Sequence, residues 1–128
     1  MSKPVLIVGG GPAGLAAAHS LATVGKNAVI VDKADRLGGT PILSGYAKLV
    51  PTGEWAKDAI GGMVKRVEED SLVQVITDTT VTQFNGSPGD FRAELSNGDS
   101  LDVEAAILCS GFTHFDSVNK PEWGFGTF

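Results

Sequence analysis

The sequence predicts an α/β fold, in which a strand–helix–strand unit opens a parallel sheet and an antiparallel meander is inserted later in the chain. Two apolar, β-branched runs at residues 5–8 and 28–31 lack polar alternation, which is typical of strands buried on both faces. Between them, residues 15–22 are rich in Ala and Leu, which favours a helix. Asn97 and Gly98 separate two alternating segments, which is a strong hairpin signal.

The elements after the second strand follow from spacing and turn residues. Residues 38–53 carry Gly, Pro, Thr and Ser with little periodicity and predict a loop. Apolar residues recur at helical spacing over residues 54–69, and a Gly-Gly pair weakens this predicted helix by about 1 kcal/mol per glycine. A strand is predicted at residues 73–76 and a β-meander at about residues 80–104. Residues 105–109 then predict a return to the buried parallel sheet.

Composition and charge exclude several classes of function. The chain has 128 residues, 42% hydrophobic and 20% charged, which suits one compact domain. Its net charge of −5 argues against a broad nucleic-acid surface, and its single cysteine excludes an internal disulfide or a cysteine-rich metal cluster. The apolar N-terminal stretch is too short to span a bilayer and is broken by glycines. We therefore expect no targeting segment, no membrane span and a cytoplasmic protein.

A glycine-rich segment follows the first strand in the pattern G-x-G-x-x-G. Gly9 permits a tight turn, Gly11 lets the backbone approach a pyrophosphate, and Gly14 lets the helix pack close to the strand. Pro12 and Ala13 lie between them, where the helix N-terminus offers N–H groups and a positive dipole end to phosphates. Because the motif joins a strand to a helix in a βαβ unit, it predicts a Rossmann-like dinucleotide site of the FAD/NAD(P)-binding type.

An acidic residue, Asp32, ends the second strand eighteen residues after Gly14. A carboxylate at this position accepts hydrogen bonds from an adenosine ribose and repels a 2′-phosphate, which disfavours NADP. We expect Asp32 near the surface, at the strand end. These observations leave FAD and NAD open as ligands.

The segment VDKADRLGG resembles the flavoprotein version of this motif, in which an Arg and a Gly-Gly pair follow the ribose acid. Here these residues are Asp32, Arg36, Gly38 and Gly39, although that family usually has Glu in place of Asp32. The meander followed by AAILCSG also resembles two-dinucleotide-binding flavoproteins, whose equivalent strand ends in Ala-Thr-Gly. The resemblance implies FAD as the cofactor. The predicted cofactor-binding residues are Gly9, Gly11, Pro12, Ala13, Gly14, Asp32, Lys33, Arg36, Gly38, Gly39, Thr40, Val81, Ser110 and Gly111.

The segment GFTHFDSVNKPEWGFG is similar to the FAD-binding subunit of heterodisulfide reductases and to its relatives in sulfur metabolism. In that family a Gly-Phe turn leads to Phe-Asp and then to a Gly-aromatic-Gly segment. The resemblance implies an FAD-binding electron-transfer subunit of a redox complex, with other subunits of that complex as partners in a homo- or hetero-oligomer. Methanogen members bind iron–sulfur clusters through several cysteines. Because this chain has only Cys109, we expect no cluster and a nearer match to relatives in sulfur-oxidising complexes.

Two further functions remain open: a non-catalytic nucleotide-binding or assembly module, and an NAD-binding thioredoxin-reductase-like oxidoreductase. The lack of a C-x-x-C pair weakens the second. Flavin domains of this superfamily use a later strand and a Gly-Asp motif that are missing here. We therefore expect residues 1–128 to form a single, partial FAD-binding domain that lacks its C-terminal completing segment.

No residue has the sequence context of a catalytic acid, base, nucleophile or metal ligand, so none is assigned. Cys109 is expected to be a small core residue rather than a redox thiol. The tail, residues 112–128, has no sheet or helix period but is rich in aromatic residues. We expect these to pack over the strand ends near Gly111 or against a partner. They are Phe112, Phe115, Trp123, Phe125 and Phe128.

Overall fold

The computed structural model describes residues 2–113 and 116–124. Its elements are, in chain order, β1 (Val5–Val8), α1 (Pro12–Thr23), β2 (Ala28–Val31), α2 (Thr40–Leu43), α3 (Ala56–Glu68), β3 (Val73–Ile76), β4 (Val81–Ser87), β5 (Asp90–Leu95), β6 (Ser100–Val103), β7 (Ala105–Leu108) and two 3₁₀ turns (Ser117–Asn119 and Pro121–Trp123). Both the predicted α/β class and the inserted meander are confirmed.

Four strands form a parallel sheet in the order β3-β2-β1-β7. Val5 pairs with Ala28 on one side and with Ala105 on the other, so β1 is central. Parallel pairing brings the carboxyl ends of all four strands to the same edge, and β1 meets β7 although about a hundred residues separate them in the chain. The glycine segment after β1 therefore lies at the middle of this edge.

The remaining strands form an antiparallel sheet in the order β4-β5-β6, inserted between β3 and β7. The predicted Asn97-Gly98 turn joins β5 to β6: the Leu95 N–H donates to the Asp99 carbonyl at 2.9 Å, and Gly98 has φ +92°. A positive φ there needs a residue without a Cβ, which is why glycine follows the asparagine.

The parallel sheet is covered on both faces, and this explains its continuous apolar runs. On one face, Ile7 and Ile30 pack in a cluster with the helix residues Leu15, Ile60 and Val67. On the other face, alternate residues of the same strands pack against the meander. They are Leu6, Val29 and Val31 against Ala93, Leu95 and Val103. Burial of both faces leaves β1 and β2 no polar alternation.

The structure differs from the sequence-based prediction at several boundaries. The segment 38–53, expected to be a loop, contains the helical turn α2. Helix α1 begins at Pro12, because proline suits the first helical turn, where a backbone N–H has no intrahelical acceptor. Helix α3 begins at Ala56, whose N–H donates to the Ala47 carbonyl at 2.9 Å. That bond belongs to a hairpin-like segment over residues 47–56.

Among the residues that the structure describes, no helix combines the length and the hydrophobicity needed to cross a membrane.

Candidate functional site

A cleft of about 1160 Å³ lies at the carboxyl edge of the parallel sheet and is called the main cleft below. Its walls come from the glycine segment after β1, the end of β2, the start of α2, the β3–β4 connection and the segment after β7. Open parallel sheets bind ligands at this edge, where loops from several strands converge. The site is therefore assembled from five separate parts of the chain.

The glycine segment is packed so tightly that side chains are excluded at two positions. Gly9 has φ +106°, and a Cβ there would lie 2.1 Å from the Cys109 carbonyl oxygen. A Cβ on Gly14 would lie 1.9 Å from the Gly9 carbonyl oxygen. Gly9 thus lets β1 turn against β7, and Gly14 lets α1 pack against that turn. These contacts confirm that Gly9 permits the tight turn and that Gly14 permits the close packing of the helix.

Gly11 caps the N-terminus of α1, and no side chain makes a capping hydrogen bond there. The first N–H groups of a helix have no intrahelical acceptor, and they carry the positive end of the helix dipole. A second glycine segment lies against this end: Gly38 N–H donates to the Gly10 carbonyl at 2.8 Å, and a Cβ on Gly39 would lie 2.7 Å from Gly11 Cα. The two segments form a backbone cradle, called the glycine cradle below, whose chemistry fits a pyrophosphate.

Asp32 is only 9% exposed, so the expectation that it lies near the surface is wrong. One carboxylate oxygen accepts the Gly10 N–H at 2.8 Å, and the other accepts the Ala34 N–H at 2.9 Å. The side chain therefore holds the glycine segment to the end of β2. Each oxygen keeps a further lone pair, and Asp32 still lines the main cleft, so it can also accept ribose hydroxyls.

Most of the predicted cofactor-binding residues come together in the main cleft, and three do not. Gly14 and Gly38 are buried behind the cradle, where they serve its packing. Arg36 lies at a separate, smaller cavity. Contact with a cofactor stays a prediction for the whole set. The predicted residues that line the main cleft are Gly9, Gly11, Pro12, Ala13, Asp32, Lys33, Gly39, Thr40, Val81, Ser110 and Gly111.

Sequence reasoning missed cleft residues on both sides of the glycine segment. Thr79 and Thr80 follow β3, and the Thr79 N–H donates to the Asp32 carbonyl at 3.0 Å. Leu108 and Phe112 flank the β7 end and are 78% and 69% exposed. Because the strand order is β3-β2-β1-β7, the threonines lie at one end of the cleft and the apolar pair at the other. The β3 end of the cleft thus offers hydroxyl groups, and the β7 end offers two exposed apolar side chains.

Cys109 lies one residue beyond β7 and lines the main cleft, although it also packs against the helix-side core. Burial raises the pKa of its thiol, so the neutral form dominates at pH 7. A neutral thiol is a poor nucleophile. Within residues 2–113 and 116–124, no three side chains among His, Cys, Asp and Glu are grouped so that they can hold a metal ion.

The tail was expected to pack over the strand ends near Gly111 or against a partner, and the second arrangement stays a prediction. Phe112 lines the main cleft but is mostly exposed, and Trp123 is 63% exposed, so neither ring is buried on the sheet. Phe115, Phe125 and Phe128 lie outside the described residues.

A parallel sheet with a glycine turn after its central strand, and a cleft at the carboxyl edge, defines the class of dinucleotide-binding α/β proteins. Residues 4–104 match the family model described as FAD dependent oxidoreductase. The chain belongs to this family, and FAD is its cofactor. The cradle and Asp32 fit that cofactor because they offer backbone donors for a pyrophosphate and acceptors for a ribose.

Two known relatives are similar to this chain over most of its length. The chain is 28% identical over 130 residues to a ferredoxin/F420H2-dependent CoB-CoM heterodisulfide reductase subunit of Methanosarcina acetivorans, across 98% of this chain and 16% of that protein. It is 42% identical over 110 residues to a multifunctional alkene reductase/demethylase of Caballeronia cordobensis, across 86% of this chain and 14% of the relative. The resemblance to this heterodisulfide reductase family is confirmed. The chain thus spans about a sixth of the first relative and about a seventh of the second.

A solved structure shows the same fold. The thioredoxin reductase of Lactococcus lactis superposes with a TM-score of 0.75 and 19% sequence identity, covering 90% of this chain and 37% of that one. At this identity the likeness concerns the fold alone. It supports the predicted arrangement of a parallel sheet with an inserted meander.

Proposed function

We propose that this chain is the FAD-binding, electron-transferring part of a heterodisulfide-reductase-like redox complex in sulfur metabolism. The observation that carries the proposal is the glycine cradle at the head of α1, in a cleft that offers hydroxyl groups at one end and two exposed apolar side chains at the other. FAD supplies the redox chemistry when it is bound. The likeness to the Methanosarcina heterodisulfide reductase protein over 98% of the chain supports this setting.

The orientation of the cofactor follows from the two ends of the cleft. The cradle is the place for the pyrophosphate, because Gly11 heads α1 without a side-chain cap. Asp32 and the threonines after β3 would hold the adenosine, because their carboxylate and hydroxyl groups can pair with a ribose. Leu108 and Phe112 would hold the flavin, because their exposed apolar surfaces suit a flat aromatic ring.

The chain's own residues bind and orient rather than exchange protons. Two of the titratable groups in the cleft are engaged in packing: the Asp32 carboxylate accepts two backbone N–H groups, and burial keeps the pKa of the Cys109 thiol above its ordinary value. The part played by these residues is to fix the cofactor and to place its ring at the apolar end. Partner subunits then supply the electron donor and acceptor.

FAD binding by the full chain tests the cofactor site, and two glycine variants give a matched comparison. A Cβ on Gly11 meets only Gly39 Cα at 3.5 Å, an ordinary contact, and Gly11 has φ −79°. Gly11→Ala should therefore fold, while its methyl group narrows the cradle. A Cβ on Gly62 in α3 meets nothing within 4 Å. Gly62→Ala is the control for adding a methyl group elsewhere.

We expect wild type and Gly62→Ala to retain FAD through gel filtration and to bind it with equal affinity. Gly11→Ala should bind FAD about tenfold more weakly or worse, which corresponds to a loss of about 1.4 kcal/mol in binding free energy. Circular dichroism spectra of the three proteins should coincide. Equal FAD affinity for Gly11→Ala and wild type would remove the pyrophosphate from this cradle.

The place in a redox complex needs a second measurement. The flavin of the FAD-loaded chain should be reduced and reoxidised while a fraction that contains the partner subunits reduces a disulfide. The Gly11→Ala protein should lose this coupled electron transfer together with its FAD. Sustained turnover with a nicotinamide donor and no partner would favour the thioredoxin-reductase-like alternative. Binding of FAD without any electron exchange would leave the chain a nucleotide-binding module.

A further inference from the structure

Beside the main cleft lies a second cavity of about 530 Å³, called the side hollow below. It lies under the hairpin-like segment that joins α2 to α3. Pro41 and Tyr46 line both cavities, so a shared wall separates them. Arg36, expected from the sequence to bind the cofactor, lines the side hollow and not the main cleft. The position of its guanidinium group therefore needs a different explanation.

Cationic side chains gather at the side hollow in a protein whose net charge is −5. Arg36 and Lys57 both line it. The ion pair of Arg36 with Asp35 is exposed and long, at 3.4 Å, so it holds the guanidinium only weakly. In the part of the chain that the structure describes, no carboxylate lies within ion-pair distance of the Lys57 ammonium. Arg36 and Lys57 therefore make the hollow locally positive, and both side chains are hydrogen-bond donors that suit phosphate or carboxylate.

Two aromatic rings also line the hollow. Trp55 is 57% exposed and lines the hollow together with Tyr46. The Lys48 ammonium lies 5.0 Å from the centroid of the Trp55 ring, a cation–π contact that restrains the indole. The backbone restrains it further, because Ala56 N–H donates to Ala47 and Leu49 N–H donates to Glu54. A large, mostly exposed indole that is held in place beside two cations offers a stacking surface next to a charge site.

We propose that the side hollow binds a small organic anion that carries a planar ring, separately from the cofactor in the main cleft. The charged end, a phosphate or a carboxylate, pairs with Arg36 and Lys57. The ring lies against Trp55 and Tyr46. The shared wall at Tyr46 places this anion next to the bound cofactor, where a substrate or an effector of the proposed redox reaction would be positioned.

The test uses the full chain loaded with FAD, so that the main cleft is occupied. The probes are phenyl phosphate and benzoate, which join a ring to each kind of charge without any nucleoside. Benzamide supplies a ring without charge, and inorganic phosphate supplies charge without a ring. Binding is measured by isothermal titration calorimetry at low ionic strength, because salt screens exposed charges. We expect one of the two ring anions to bind at least tenfold more tightly than benzamide and inorganic phosphate.

Variants then locate the binding. Arg36→Gln and Lys57→Gln should each weaken the preferred ring anion about fivefold, and Trp55→Leu should weaken it while leaving inorganic phosphate unchanged. Lys65→Gln removes a cation from the same helix, α3, outside the hollow, and should change binding less than twofold. FAD affinity should stay the same in all four variants.

Two results would overturn the proposal. An equal loss in the Lys65→Gln protein would show general charge attraction, and a loss of FAD affinity in Arg36→Gln without any loss of the anion would return Arg36 to the cofactor site. If the chain takes up no FAD, the proposed function fails, and the same benzoate and phenyl phosphate titrations on the unloaded variants still decide this proposal.

Discussion

Two groups of glycines in this chain look alike in the sequence and behave differently in the structure. Those of the turn after β1 are crowded: a Cβ on Gly9 or Gly14 would collide with backbone at about 2 Å. Gly61 and Gly62 in α3 have open space around the position of a Cβ. The first group is required by tertiary contacts, whereas the second only lowers the stability of its helix. Glycine content by itself therefore does not locate a ligand site, but the atoms that surround each glycine do.

The largest effect is expected from Gly9→Ala. The substitution adds a methyl group 2.1 Å from the Cys109 carbonyl oxygen and forces a non-glycine residue to φ +106°. Backbone strain and overpacking each cost about 1–3 kcal/mol, so the free energy of unfolding should fall by about 3–5 kcal/mol. Urea denaturation followed by circular dichroism measures this loss. A fall below 1 kcal/mol would break the contrast between the two groups of glycines.

Gly14→Ala should have the next largest effect. Its new Cβ would lie 1.9 Å from the Gly9 carbonyl oxygen, but the helical backbone of α1 suits alanine. We expect α1 to shift away from β1, with a loss of about 2–3 kcal/mol in the free energy of unfolding and weaker FAD binding. Hydrogen exchange at the Leu15 amide, which donates to the Gly11 carbonyl at 2.9 Å, would report the shift. Unchanged exchange and stability would show that the turn is less tightly packed.

Asp32→Ala tests the carboxylate that fixes the crowded turn. It removes acceptors from Gly10 N–H and Ala34 N–H, and a buried donor left without an acceptor costs about 1–3 kcal/mol. The loss of ribose contacts should add a ten- to hundredfold decrease in FAD affinity, since charge-assisted hydrogen bonds contribute about 1.5–3 kcal/mol. Denaturation of the unloaded protein separates the first effect from the second. A variant that lost FAD affinity with no loss of stability would show that Asp32 acts on the ligand alone.

The smallest effect, and of opposite sign, is expected from Gly62→Ala. Gly62 is exposed in the interior of α3, where alanine is more favourable than glycine by about 1 kcal/mol. The variant should therefore unfold at a higher urea concentration, with an unchanged slope of the transition. Destabilisation would contradict the open surroundings of Gly62 and would remove the contrast between the two groups of glycines.

Much of the fold could be predicted from sequence because its signals are local. The buried runs of β1 and β2, the glycine turn between them and the Asn97-Gly98 hairpin each lie within a short segment, and each has its own physical signature. The helical turn α2 was missed because residues 40–43 are too few to show a helical period. Its Thr-Pro start belongs equally to a loop.

The site was only half determined by the sequence. The first glycine segment was predicted from its place in the βαβ unit, and Gly38 and Gly39 were expected from the resemblance to flavoproteins. Only the tertiary structure decided that Thr79 and Thr80 join Asp32, that Leu108 and Phe112 form an apolar end, and that Arg36 lies at the side hollow. These facts depend on the strand order β3-β2-β1-β7, which brings together segments that are far apart in the chain. Local periodicity specifies elements, but long-range packing of apolar faces selects which strand ends become neighbours.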